Sequence, residues 1–291
     1  MNLRGAKPVT DNKIKKFITE LNPVGDLYNE ELTSTFTKAF MDWISASGNN
    51  TLSGLDLFPS QKLVCGTVQA FDHFYFRHRT KRFRFFKGEF MYHQSCLKHG
   101  CDWEYIEDEP LEHDDVLITS VPFSDYGRQH VDLEHYLNIC NTLEIPVLLD
   151  FAYYPCTKNI NVDLSQWKCV ETITFSISKA FYGAEFLRVG VRCERVDTDD
   201  GIDVFNSVEM NNRIDISIAN SLIQQFPVDW NWQQYAQAYN KAIEDKNLLP
   251  TDCIMFGIGD DKWKDWNRGS DVNRVCISEL IGDIVNTSSD A

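Results

Sequence analysis

The sequence predicts an α/β protein built around a mainly parallel sheet, followed by a smaller α+β region. Three observations carry that expectation. Strand-like apolar runs alternate with helix-spaced stretches from about residue 60 to residue 193. Two of those runs, Val116-Leu117-Ile118 and Val147-Leu148-Leu149, are apolar without a break, as strands covered on both faces are. The pattern then changes after the polar break Asp197-Thr198-Asp199-Asp200-Gly201.

Between Glu30 and Ile44, the apolar positions Leu32, Phe36, Phe40 and Trp43 keep helical spacing, and the Ser-, Gly- and Asn-rich stretch from Ser45 to Gly54 ends that helix. Lys62-Leu63-Val64-Cys65 reads as a short strand, Gly66-Thr67 as a turn, and Val68, Phe71, Phe74 and Tyr75 as positions on a helix. A strand is expected from Arg82 to Phe86 and a helix from Phe90 to His99. Val116-Leu117-Ile118-Thr119 reads as a buried strand followed by a loop holding Pro122 and Gly127. A helix from Leu133 to Thr142 leads into Pro146-Val147-Leu148-Leu149-Asp150, an apolar strand closed by a carboxylate. Further strands are expected over Thr172 to Ser176 and Leu187 to Cys193. Beyond the polar break the spacing predicts helices from Val208 to Phe226 and Trp232 to Lys246, a strand from Cys253 to Ile258, and a final helix near Ser278. The expected organisation is an N-terminal segment, 1–44, packed on a small C-terminal domain, 196–291, with a large domain, 45–195, between them.

A chain of 291 residues with 43% hydrophobic and 24% charged residues has the composition of an ordinary globular protein. Its net charge of -15 argues against a general affinity for nucleic acid or anionic membrane. One basic run, from Arg77 to Lys87, is interleaved with Phe76, Phe83, Phe85 and Phe86. It reads either as a nucleic-acid strip or as a solvated helix end leading into a half-buried strand, and the alternation from Arg82 to Phe86 favours the strand. No eighteen apolar residues follow one another and Met1 to Thr10 hold no apolar h-region, so neither a membrane span nor an export signal is expected. The nine cysteines are odd in number and scattered, the pattern of reduced, mostly buried thiols in a cytoplasmic protein. Cys96, His99 and Cys101 lack a second ligand pair at zinc-site spacing, so no metal is expected.

Candidate chemistry centres on Lys179. It follows the strand-like run Thr174-Phe175-Ser176-Ile177-Ser178 and is trailed by Gly183 and Arg188, a setting suited to an amine that forms a Schiff base with a phosphorylated aldehyde. Alone, the segment reads equally as a strand and turn with a solvated lysine. Asp150, at a strand end, could keep a pyridine nitrogen protonated or could simply cap the next turn. Gly66-Thr67-Val68-Gln69 lies at a strand-to-helix junction, where free backbone N–H groups favour an anion. Arg188 could grip the same anion with its planar fork, helped by Ser176 and Ser178, or could pair with Glu185.

Taken together, Gly66-Thr67-Val68-Gln69-Ala70, Asp150-Phe151-Ala152-Tyr153 and Ser176-Ile177-Ser178-Lys179-Ala180-Phe181 through Leu187-Arg188-Val189-Gly190 resemble the fold type I pyridoxal-phosphate enzymes, most closely the class I/II aminotransferases. The resemblance covers roughly residues 60 to 193 and implies a seven-stranded-type sheet in the large domain. It implies that Lys179 holds pyridoxal 5'-phosphate as a Schiff base and shuttles a proton. Asp150 would then pair with the ring nitrogen and Tyr153 would donate to the phenolic oxygen. Thr67, Ser176, Ser178 and Arg188, with Gly66 and Val68 of the junction, would take the phosphate. A stacking aromatic is implied near Phe90 or Tyr92, and a carboxylate-binding arginine at Arg274, with Arg268 as its rival. The implied activity moves an amino group between an amino acid and a 2-oxo acid in a homodimer. Decarboxylation, elimination, racemisation, or a relative without turnover stand as alternatives.

Three features depart from the family pattern. The loop Ser120-Val121-Pro122-Phe123-Ser124-Asp125-Tyr126-Gly127 lacks the usual asparagine, so Ser124 is expected in its place. The interval from Lys179 to Arg188 is one residue long, with Tyr182 as the candidate insertion. The chain is also expected to be short in the N-terminal arm and the C-terminal domain.

Overall fold

The structure, a computed structural model, describes residues 5–289. Its elements begin with α1 (Asn12–Glu20), α2 (Leu32–Ser45), β1 (Thr51–Ser53), β2 (Ser60–Val64), α3 (Thr67–Arg77), β3 (Arg82–Phe85), α4 (Tyr92–Leu97) and β4 (Trp103–Tyr105). Next come β5 (Asp115–Ser120), α5 (Leu133–Leu143), β6 (Val147–Asp150), β7 (Asn161–Asp163), β8 (Val170–Ser176) and β9 (Gly190–Glu194). The remainder comprises α6 (Gly201–Ser207), α7 (Arg213–Gln225), α8 (Trp230–Lys246), β10 (Leu249–Pro250), β11 (Phe256–Gly259), β12 (Asn273–Cys276) and α9 (Ser278–Ser289).

The central sheet has seven strands in the order β2-β9-β8-β6-β5-β3-β4. Strands β4, β3, β5, β6 and β8 run parallel. No α-helix intervenes between Ser176 and Gly190, so β9 returns beside β8 antiparallel and pairs the same way with β2. Side chains alternate across this sheet as the strand period dictates. Val116, Ile118 and Leu148 pack with Phe71, Phe74 and Tyr75 of α3 on one face. Leu117, Val147, Leu149 and Phe175 pack with Phe36 and Phe40 of α2 and Leu137 of α5 on the other. Both faces are covered, which explains the unbroken apolar runs of β5 and β6.

The expected order of strands and helices appears, with local differences. The helix expected from Val208 to Phe226 starts late, at Arg213: Glu209 takes a left-handed backbone (φ 55°), Asn212 opens α7 by accepting from the Asp215 N–H at 3.2 Å, and a short helix that was not expected, α6, precedes it. The strand expected to begin at Leu187 begins at Gly190, leaving Arg188 in the turn before it. The helix expected from Phe90 begins at Tyr92, which frees Phe90 from the helical repeat.

The basic run resolves into structure. Arg82 and Arg84 of β3 converge on Asp115, each with a bond of 2.7 Å, and Arg84 is fully buried, its remaining donors spent on carbonyls such as that of Pro110 at 2.9 Å. Phe83, Phe85 and Phe86 are buried beside them. Beyond residue 195, α6 is fastened to the sheet edge, since the Asn206 amide both accepts from the Leu63 N–H and donates to the Leu63 carbonyl, at 2.9 Å each. That pairing covers β2, an edge strand. Strands β10, β11 and β12 form a separate antiparallel sheet, and Tyr239 of α8 ties it down by donating to the carbonyl of Thr251 at 3.1 Å and that of Phe256 at 3.0 Å.

The N-terminal segment is pinned to the C-terminal helices. Asp11 caps α1 by accepting from Lys13 N–H at 2.7 Å and also accepts from the Tyr235 hydroxyl. Ser278 donates to the Lys7 carbonyl at 2.6 Å, and Asn286 to that of Thr10 at 3.1 Å. This anchoring carries Gly5 and Ala6 to the carboxyl ends of the central strands.

Candidate active site

A cavity of about 350 Å³ opens at the carboxyl ends of β5, β6 and β8, where parallel α/β sheets place their ligands and in the size range of small-molecule sites. Register sets its floor. Ser120 of β5, Asp150 of β6 and Thr174 of β8 lie opposite one another in the ladder. Asp150 Oδ1 accepts from the Thr174 hydroxyl and from the Ala152 N–H, both at 3.0 Å, while Oδ2 takes part in neither bond. Only 5% exposed, the carboxyl is pushed up to about 7 by burial, against the pull of those two donors. Such a group strongly favours a cationic partner on the cavity side.

Lys179 follows β8 in a turn, half-buried, with its ammonium donating to the Ala6 carbonyl at 2.8 Å. Burial pushes its pKa below the ordinary lysine value. Ser176 donates to the Ser178 hydroxyl at 2.9 Å, and both line the cavity with Thr67 and Val68 at the start of α3. Arg188 closes this end. Gly66 has φ +71°, and a Cβ placed there would lie 2.6 Å from Arg188 Nη2, so only glycine lets the guanidinium lie against the turn. The first turn of α3 and the arginine fork therefore face one volume, the arrangement of an oxyanion site.

At the other end lie Ser124, Arg268 and Arg274. Ser124 is fully buried, its N–H donating to the Ser120 hydroxyl at 2.8 Å. Arg274 donates to the Ser124 carbonyl at 2.7 Å and lies 4.3 Å from the centre of the Phe256 ring. Tyr153 packs edge-on to the same ring and lines the cavity, its phenol pushed up to about 12 by burial. Phe90 also lines the cavity, stacked on Tyr92, whose hydroxyl instead donates to Asp72 at 2.8 Å outside it.

Lys179, Asp150, Tyr153, Thr67, Val68, Ser124, Ser176, Ser178, Arg188, Phe90 and both candidate arginines therefore line one cavity; Gly66 seats Arg188 within it, and Tyr92, the alternative to Phe90, does not line it. Between the two candidate arginines the structure does not choose, because Arg268 and Arg274 both reach the wall. Sequence reasoning missed Gly5, Ala6 and Met91, also in the lining, and two buried acids behind it. Asp125, fully buried, lies between Arg268 and Arg274. Glu89 accepts from Ser120 through its N–H at 2.8 Å and its hydroxyl at 2.6 Å, and burial pushes its pKa up. Neither acid sits in a local pattern that announces it. Among the described residues no cluster of His, Cys, Asp and Glu could hold a metal ion, and no helix is long and apolar enough to cross a membrane.

No protein-family model matches the chain, and no curated protein matches it. Solved structures do. A PLP-bound C-S lyase from Staphylococcus hominis superposes with a TM-score of 0.67 at 12% identity, over 97% of this chain and 85% of that one. An alanine aminotransferase from Pyrococcus furiosus gives 0.66 at 13%, over 99% and 92%. An L-threonine-O-3-phosphate decarboxylase from Porphyromonas gingivalis gives 0.62 at 16%, over 99% of each chain. At these identities the common property is the fold. It is that of the fold type I, aminotransferase-like enzymes, with the same mainly parallel sheet flanked by helices.

Proposed function

We propose that this chain is a pyridoxal-phosphate enzyme acting on an amino acid, and specifically an aminotransferase moving an amino group between an amino acid and a 2-oxo acid. The observation that carries the reading is the convergence of Lys179, Asp150, Tyr153, Arg188 and Thr67, from three separate stretches of chain, on one cavity. The donor set fits the group from end to end. Thr67, Ser176, Ser178 and Arg188 hold a phosphate, with Gly66 keeping the guanidinium close. Asp150, unfavourable as a bare anion in its buried setting, would pair with a ring N–H⁺. Tyr153 and Ser124, in the same lining, would offer donors to the ring oxygen, and Phe90 would offer an apolar face to the ring.

The bound cofactor supplies an electron sink for charge developing on the substrate carbon. Lys179 would supply the amine that holds its aldehyde and would hold and return the proton at the substrate carbon. Its lowered pKa favours the neutral, basic amine that this role needs. Arg274 binds the α-carboxylate with a bidentate fork, held in place by the Ser124 carbonyl and the Phe256 ring. We further propose a homodimer in the cytoplasm. Exposed Phe186, Val204, Phe205, Val208 and Met210 support self-association, and six buried, unpaired cysteines support a reducing compartment.

Transamination is separated from the other outcomes by its products. Protein loaded with cofactor and given an amino donor alone should release one equivalent of 2-oxo acid per site and stop. Release of carbon dioxide, or continued turnover without an acceptor, would refute amino transfer while leaving the cofactor assignment intact.

A further inference from the structure

The cavity carries one more arginine than a simple amino acid needs. Because β6 and β8 lie between β2 and β5 in the sheet, Asp150 and Ser176 separate the Arg188 end from the Ser124 end. A phosphate uses Arg188 and a single α-carboxylate uses Arg274, which leaves Arg268. Its side chain is 14% exposed and lines the same cavity. Each of its bonds is long, at 3.4 Å to the Ser124 hydroxyl, 3.5 Å to Asp125 Oδ1 and 3.4 Å to the Glu89 carbonyl. A charge-assisted contact between guanidinium and carboxylate closes to about 2.7–2.9 Å. Arg268 is thus positioned by its neighbours without being satisfied by them.

The local charge count points the same way. Asp125 is the carboxylate nearest both arginines, lying 3.5 Å from Arg268 and 4.0 Å from Arg274, and it also accepts from the Ser270 hydroxyl. Arg268 therefore shares its ion-pair partner with Arg274 in a buried setting, where a weakly compensated cation is costly, and Glu89 offers it a backbone carbonyl at 3.4 Å. Burial and the nearby Arg274 both disfavour the charged form of Arg268. A second anion from outside the chain would relieve both.

We propose that the substrate is an amino acid with a second anionic group on its side chain, a carboxylate or a phosphate, and that Arg268 receives that group while Arg274 receives the α-carboxylate. The inference rests on the function proposed above and narrows its substrate class. A neutral or apolar side chain would leave the Arg268 fork as poorly satisfied as it is now, so selection against such substrates follows from the same geometry.

The test is calorimetric titration of the purified chain, with and without pyridoxal 5'-phosphate, using three anions that cannot react: propionate, succinate and 3-phosphonopropionate. The wild type should bind succinate or 3-phosphonopropionate about 10- to 100-fold more tightly than propionate, the range of a hydrogen bond to a charged group. The tighter of the two identifies the second anion as carboxylate or phosphate. Arg268→Gln should abolish that preference and leave propionate binding unchanged, whereas Arg274→Gln should weaken all three. Equal binding of all three by the wild type, or an undiminished preference in Arg268→Gln, would overturn the inference. Should Arg268→Gln fail to fold, Arg268→Lys keeps the charge without the fork and should retain only part of the preference. Failure to take up cofactor would refute the enzyme reading, and the titrations on cofactor-free protein would still decide this one.

Discussion

Replacing Asp150 with asparagine should stabilise the cofactor-free protein and at the same time weaken cofactor binding. The side chain is 5% exposed and bonded through Oδ1 to the Thr174 hydroxyl and the Ala152 N–H, two donors that an asparagine carbonyl can keep. Burial raises its pKa from 3.8 to about 7. Between those values the unfolded chain has already lost the proton that the folded chain retains, so folding stability falls as pH rises through that window. At about 1.4 kcal/mol per tenfold change in ionisation constant, the full loss above pH 7 is about 4 kcal/mol. Asparagine does not ionise and does not incur it. Urea unfolding of the two cofactor-free proteins should therefore agree near pH 4 and diverge progressively, with Asp150→Asn the more stable by up to about 4 kcal/mol near pH 8. Cofactor affinity should move the opposite way, falling about 100-fold or more, because a ring N–H⁺ loses a buried counter-charge. Parallel stability curves across this pH range would refute the desolvation argument, and unchanged cofactor affinity would refute the pairing.

Two further substitutions separate site from scaffold. Gly66→Ala should displace the Arg188 guanidinium, which would lie 2.6 Å from the new Cβ. It should also cost about 1–3 kcal/mol for a side chain in the left-handed region, so fluorescence titration should show weaker binding of cofactor or of inorganic phosphate alongside a lower Tm. Asp229→Ala should act on stability alone. Its buried carboxylate accepts from the Ser47 hydroxyl at 2.7 Å, the Gly48 N–H at 2.6 Å and the Asn49 N–H at 3.2 Å, donors that water can reach, so its loss removes charge-assisted bonds at about 2 kcal/mol. Denaturation should register that cost while cofactor affinity stays at the wild-type value.

What could be read from the sequence follows from how local each signal is. Val147-Leu148-Leu149-Asp150 was legible because a strand buried on both faces must be apolar throughout, and its terminal carboxylate then marks the sheet end where ligands sit. Gly66 and Arg188 were legible as candidates, but their contact was not, since it depends on β9 returning beside β2. Helix α6 escaped because Asp199-Asp200-Gly201 reads as a polar break, and the late start of α7 escaped because the left-handed Glu209 carries no glycine to signal it. Ala6 is invisible in the sequence. It is brought to Lys179 by Asp11 meeting Tyr235, Lys7 meeting Ser278 and Thr10 meeting Asn286, contacts between residues more than 200 positions apart. The loose seating of Arg268 is equally non-local, for Glu89, Asp125 and the two arginines come from three separate segments.

The central claim is that Lys179 is the amine that binds a phosphorylated pyridine aldehyde. Borohydride reduction of the protein incubated with pyridoxal 5'-phosphate, followed by proteolysis and mass spectrometry, tests it most directly. The reduced adduct should appear on the peptide containing Lys179 at one equivalent per chain, and should be absent in Lys179→Ala. A colourless protein without an adduct, or an adduct distributed over exposed lysines and undiminished in Lys179→Ala, would contradict the account.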